Sequence, residues 1–208
     1  MDNVDAAEAE GDLMAQTIKP AAPTGPGPDP AVTELLQSVV ETACAIFGAQ
    51  ASSVLLLDAE ADEMIFGAVA GQGEEFLVGS RFPAGRGIAG WVAASGEPMV
   101  VDDLHANPSF DRSIAKSTGY VPNALMAAPL VHGDDVLGVL EVLDPSPQAR
   151  SGLSELDVLA LFARQAAVAL QVLTRHIPRP AAPAPGPDGP TRTELLRLLS
   201  EARRLLDG

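Results

Sequence analysis

Cysteine is almost missing from this chain of 208 residues: Cys44 is the only one. A single thiol excludes an internal disulfide framework and fits a reducing compartment. Histidine is scarce too. His105, His132 and His176 are scattered, with no His-x-x-x-His or Cys-x-x-Cys spacing. No metal site is therefore expected. Basic residues number 13 against 28 acidic ones, a formal net charge of -15. A duplex or a phosphate-rich surface would repel such a chain. Its one basic concentration is Arg192, Arg197, Arg203 and Arg204, close to the end. Neither nucleic acid nor membrane is an expected partner. No charged start followed by an apolar run marks a secretory signal, and no apolar run is expected to approach the roughly 18 residues of a spanning helix. The expectation is a cytoplasmic protein. Catalytic signatures are missing as well: neither G-x-S-x-G nor G-x-x-x-x-G-K-[ST] occurs, and no nucleophile has an evident base. The chain is expected not to be an enzyme.

What is present is apolar and unevenly punctuated. Hydrophobic residues make up 47%, enough for one sizeable core with length to spare. Many prolines lie in two runs, Pro20 to Pro30 and Pro178 to Pro190. Proline stiffens the chain and removes backbone donors, so both runs read as linkers. The organisation that follows is a disordered acidic and Pro-rich arm over 1–29, a domain over 30–177, a Pro-rich linker over 178–190 and a C-terminal helix over 191–208. A transient helix around Ala6 to Thr17 is compatible with the arm.

Within the domain, Asp29-Pro30 is a helix start, because the Asp can cap and Pro tolerates the first helical position. Val32, Leu35, Leu36, Val39, Ala43, Ile46 and Phe47 then repeat at helical spacing, up to a terminator at Gly48. Ser52 to Leu57 and Met64 to Val69 read as strands around a turn at Asp58 to Asp62. A glycine-rich turn precedes a short helix from about Ile88 to Ala94, and Met99 to Asp102 is a strand. Asp102 to Gly119 is a long polar connection, where Ser109 or Asp111 can cap a helix running to about Ser117. Ala124 to Val131 and Val136 to Leu143 form a hairpin. The second of these strands is apolar on both faces apart from Glu141, a pattern that calls for cover on both sides. Leu153 to His176 is the longest helix. Its apolar surface is wider than one face, so it needs more than a sheet to bury it; the first helix is one partner and a second subunit is a candidate for another. Thr191-Arg-Thr-Glu194 has capping-box spacing. Leu195, Leu198, Leu199, Leu205 and Leu206 then make an amphipathic face. Alone it is marginal in water, so it is expected to dock on a partner.

Gly85-Arg-Gly87-Ile-Ala-Gly90 matches G-x-G-x-x-G. A dinucleotide site needs a buried strand directly before the motif and an acidic partner about 20 residues on. Pro83 sits where that strand should end, and Asp102 and Asp103 come too early. The glycines instead allow a sharp turn and close packing of the helix that holds Trp91.

The ordered set of motifs resembles a GAF domain. Phe82-Pro-Ala-Gly-Arg-Gly87-Ile-Ala-Gly90-Trp91-Val is similar to its proline–glycine turn and G-[IL]-[AV]-G segment. Asp102-Asp103, Asn107-Pro-Ser-Phe110, Thr118-Gly119-Tyr120 and Leu125-Met-Ala-Ala-Pro129-Leu resemble its next signature. Gly138-Val-Leu-Glu141-Val resembles its last strand, and Gly152-Leu-Ser-Glu155-Leu-Asp157 with Ala166-Ala-Val-Ala169 its closing helix. The resemblance spans about Ala31 to Arg175. It implies an α+β fold with a six-stranded antiparallel sheet and helices on both sides. It also implies a ligand site between the sheet and the helix-rich loop.

The residues at matching positions are Trp91, Asp103, Phe110, Asp111, Thr118, Met126 and Glu141. Aromatic faces there can stack on a small planar or amphipathic ligand, while carboxylates accept hydrogen bonds from ring nitrogens or amines. Glu141 stands apart, because a charge inside a two-sided strand must be paired or face a wet pocket. The Asn-Lys pair of cyclic-nucleotide relatives is replaced by Leu143-Asp144, which argues against that ligand. Cys44 is misplaced for tetrapyrrole attachment, and one Cys cannot form a dithiol couple. The sequence names no cofactor. The function expected is a non-catalytic signalling protein that binds a small molecule or senses a partner. It would transmit the change through a helical homodimer interface. The alternative is an interaction module with a vestigial pocket, docking through its C-terminal helix. A sensor calls for a pocket of about 300 Å³ or more.

Overall fold

A computed structural model describes residues 29–72, 77–111, 116, 120–146 and 154–176. Residues 1–28 of the arm, most of the expected loop helix (112–115 and 117), Thr118, the linker and the helix of Leu195, Leu198, Leu199, Leu205 and Leu206 lie outside the described residues. By contacts the chain divides into Met1–Arg175 and His176–Gly208, and the first unit is the one described below.

Helix α1 spans Pro30–Phe47. Asp29 Oδ1 accepts the Ala31 N–H at 2.8 Å, and Pro30 occupies the first turn, where its missing N–H costs nothing. Gly48, at φ 57°, closes the helix in the left-handed region that glycine enters freely. Two strands follow, β1 (Ala51–Asp58) and β2 (Glu63–Gly71), joined by a turn in which Asp58 Oδ1 accepts the Ala61 N–H. Strand β3 is only Arg81–Pro83. Arg81 ties this edge down through ion pairs with Asp58 at 3.1 Å and Glu63 at 3.3 Å.

Helix α2 spans Gly87–Ser95 and β4 spans Met99–Val101. The hairpin is β5 (Leu125–His132) with β6 (Asp135–Leu143). Last comes α3, Glu155–His176, opened by Ser154 and Asp157: the Asp157 N–H donates to Ser154 Oγ, and the Ser154 N–H to Asp157 Oδ2. This is a reciprocal cap of the capping-box kind.

The sheet order is β3-β2-β1-β6-β5-β4, and every pair is antiparallel. The fold is therefore the six-stranded GAF-like architecture that the motifs implied. Hydrophobic patterning picks out five of these strands. The sixth, β3, is three residues long and ends in a proline that cannot donate to a ladder, so it leaves no periodic trace.

Alternation divides the sheet into two faces. Leu55, Leu125, Ala127 and Val139 join Ile88, Ala89 and Val92 of α2 in one buried cluster. Their strand neighbours Val54, Met126, Leu140 and Val142 are equally buried but point the other way, and α1 packs on β2, β1 and β6. None of the residues that α3 buries (Leu159, Ala163, Ala166, Ala167 and Leu170) joins the α2-side cluster. The doubly apolar β6 is thus covered on both faces, as its pattern required.

Helix α3 departs from one expectation. Over Glu155–Arg175 it is long and apolar enough to cross a membrane by length and composition, at a mean hydropathy of 1.6. Arg164 and Gln165 interrupt it midway and are exposed, while its buried stripe lies along one side. That is the pattern of a helix resting on a core. The remaining width, Leu161, Val168 and Val172, is exposed.

Candidate functional site

The glycine motif sets the position of α2 over the sheet. Gly87 turns the chain at φ 70°, and Gly90 lies so close to the preceding turn that a Cβ would stand 2.4 Å from the Ala84 carbonyl oxygen. Ile88 and Ala89 thereby face the sheet, and Arg86 is left at the helix entrance. On the other side runs the connection from β4 to β5. Leu104 is fully buried and its N–H donates to Asn123 O at 2.8 Å, which closes the base of this long loop.

Between the sheet, α2 and the loop lies a cavity of about 90 Å³. Its origin is legible in the strand register. Glu141 pairs with Ser53 on β1 and with Ala127 on β5, and the next residue along β6 on this face, Leu143, pairs with Ala51. Three small side chains therefore surround one long one, and the space they leave is walled by Leu55, Phe66, Phe82, Phe110, Leu125 and Leu143. The Phe66 and Phe82 rings pack tilted, with centroids 5.7 Å apart.

Several polar residues meet this cavity. Ser53 Oγ donates to Glu141 Oε2 at 3.3 Å, while the neighbouring Ser52 hydroxyl donates to the Glu141 backbone carbonyl at 2.8 Å. Glu141 is half-buried and lines the cavity, and desolvation of its carboxylate pushes its pKa up to about 7, the Ser53 hydrogen bond opposing this only in part. An ion pair stands at the entrance, Arg86 with Asp111 at 2.5 Å.

Tyr120 also lines the cavity, and its hydroxyl donates to Asp144 Oδ2. Burial and the Asp144 carboxylate together hold the phenol above its ordinary pKa. Asp144 Oδ1 accepts the Asn123 and Ala124 N–H groups, both at 2.9 Å. One carboxylate thus fastens residues 120–124 to the end of β6. Asp144→Ala is expected to cost about 2 kcal/mol, since three donors lose their acceptor. Urea unfolding measures it, and a loss below about 0.5 kcal/mol would show that the clasp contributes little.

The structure brings together three of the seven residues taken from the resemblance: Phe110, Asp111 and Glu141. It places three elsewhere. Trp91 sits on the outer side of α2 and is 43% exposed. Asp103 is an exposed loop cap whose Oδ1 accepts the His105 and Ala106 N–H groups. Met126 is buried, but on the α1 side of β5. Thr118 lies outside the described residues. Pattern reading missed Ser53, Arg86 and Tyr120. Strand register is the signal for Ser53, and Arg86 stands inside the glycine motif itself.

The GAF domain family matches residues 31–170, and the chain belongs to it. The cone cGMP-specific 3',5'-cyclic phosphodiesterase subunit alpha' of Mus musculus is 33% identical over 91 residues, 44% of this chain and 11% of that protein. The probable 3',5'-cyclic phosphodiesterase pde-5 of Caenorhabditis elegans is 26% identical over 141 residues, 64% of this chain and 19% of that protein. The chain therefore spans between a tenth and a fifth of the length of these relatives. Among solved structures, the GAF-B domain of DevS from Mycobacterium smegmatis is 27% identical, with a TM-score of 0.54, covering 71% of this chain and 96% of that one. Domains of this family are found in signalling proteins, phosphodiesterases among them.

Proposed function

We propose that this chain is a non-catalytic, cytoplasmic sensor that binds a small molecule between its sheet and α2 and passes the change on through α1 and α3. The observation that carries the reading is the cavity itself. It is apolar, it is enclosed by one sheet face, one helix and one loop, and a few polar groups converge on it, the usual make-up of a ligand site. Its 90 Å³ falls well below the roughly 300 Å³ expected of a sensor pocket, so the ligand is much smaller than a nucleotide. Output through a homodimer is supported by Leu161, Val168 and Val172, exposed on α3 at spacings of seven and four, those of a helix–helix seam.

The test is thermal unfolding against a panel of amines, amino acids, short carboxylic acids and nucleotides. A ligand at about 100 times its dissociation constant adds about 2.7 kcal/mol, a shift of several degrees in a domain of this size. A saturable shift from a small compound, reduced in Glu141→Ala, is the expected result.

The small volume also favours a second reading, a protein-docking module with a vestigial pocket. On that reading no compound shifts the transition, and binding of a protein partner is lost when Leu195 to Leu206 is removed.

A further inference from the structure

We infer that the cavity takes a small aliphatic ligand carrying a protonated amine, with its ammonium group against the Glu141 carboxylate beside Ser53. The inference rests on the cavity being a ligand site and adds the chemistry of the ligand.

The charges that face the cavity can be followed element by element. The turn before α2 supplies Arg86 and the loop supplies Asp111, and these two form an ion pair with each other. The phenol of Tyr120 is hydrogen-bonded to Asp144. Gln72, just after β2, contributes a neutral amide, α2 contributes Ile88 and Ala89, and β5 contributes Leu125. Among the described residues that leaves Glu141 on β6. Its one side-chain partner among the described residues is the Ser53 hydroxyl, and Ala127, its neighbour on the other strand, has no polar group to offer. No Arg, Lys or His among the described residues forms an ion pair with it.

A carboxylate set among apolar side chains is ordinarily paired, and half-buried Glu141 lines the cavity with no counter-charge among the described residues. The Ser53 hydroxyl supplies one donor, which leaves acceptor sites on the carboxylate for the three N–H donors of an ammonium group. The apolar walls of Leu55, Phe66, Phe82 and Leu143 suit an alkyl chain. At about 90 Å³ the space is smaller than the roughly 150 Å³ cavity known to hold benzene, so the chain is short. The carboxyl, with its pKa near 7, must release its proton before the pair can form, so binding of an amine is coupled to proton release.

The experiment is isothermal titration of the full chain with n-propylamine, n-butylamine and isoamylamine, alongside 1-butanol and butyrate. It is run at about pH 5.5, 7 and 8.5, in two buffers of different ionisation heat. The amines are expected to bind at one site, with affinity rising about tenfold or more between the lowest and highest pH, and with proton release near pH 7. Butanol binds about tenfold more weakly and butyrate does not bind. In Glu141→Gln, amine affinity falls about tenfold and its pH dependence disappears; Ser53→Ala lowers affinity but keeps the pH dependence. Butanol binding as well as butylamine, with Glu141→Gln indifferent, would overturn the inference while leaving the cavity a ligand site. Binding of none of the five probes would overturn it too, and the thermal-unfolding panel then decides separately whether the cavity binds anything.

Discussion

Glu141→Gln is expected to stabilise the protein by up to about 3 kcal/mol at pH 8 and to change nothing at pH 4. The sign follows from the direction of the shift. Burial raises the pKa of Glu141 from 4.5 to about 7 in the folded protein. Between those values the folded state binds the extra proton, so stability falls as pH rises through the window. Above about pH 7 the folded chain carries the full cost of a desolvated carboxylate. Below about pH 4.5 the group is neutral in both states and the cost is gone. Glutamine has nearly the same shape, keeps an acceptor for Ser53 and never ionises. Urea unfolding of both proteins across this range should give curves that coincide in acid and separate through neutrality. Parallel curves would mean that the carboxylate is solvated.

Gly90→Ala is expected to cost about 3 kcal/mol, at the upper end of overpacking effects, because what it meets is backbone. The new Cβ would lie 2.4 Å from Ala84 O and 2.7 Å from the carbonyl carbon of Gly85, and neither can step aside as a side-chain tip would. Relief requires α2 to lift from the turn that holds Arg86, so ligand affinity should drop together with stability. Gly85→Ala is the matched control. A Cβ at Gly85 meets nothing within 4 Å, so its effect should stay within about 0.5 kcal/mol. Equal losses from the two substitutions would refute the close-approach explanation. Of the three glycines in the motif, then, one is needed for contact, one for its left-handed turn at Gly87, and one for neither.

The elements with a strong period were legible from the chain alone. The α1 cap at Asp29 and terminator at Gly48 fall where capping chemistry put them, and the β5–β6 hairpin lies within a residue of its expected bounds. The site was less legible, for a reason of parity. Strand β5 is apolar on both sides, so nothing in its sequence says that Leu125 and Ala127 face α2 while Met126 faces α1. Similarly, α2 is short and apolar nearly all round, and its pattern does not reveal that Ile88, Ala89 and Val92 turn inward and Trp91 outward. Glu141 was legible because it is the one charge inside the apolar run of β6. Ser53 was not, since its role comes from lying opposite Glu141 across a ladder, and register is a property of two strands rather than one. Asp103 stands at a family-motif position, and its Oδ1 caps the local backbone at His105 and Ala106.

The most direct measurement is the titration of the Glu141 carboxyl by carbon-13 NMR on glutamate-labelled protein, with Glu141→Gln assigning the resonance. A buried carboxylate facing an apolar cavity without a counter-charge predicts one glutamate that titrates near pH 7 and shifts downward when n-butylamine is added. A Glu141 resonance that titrates between about pH 4 and 5, unmoved by amine, would contradict both the desolvated site and the ligand class proposed for it.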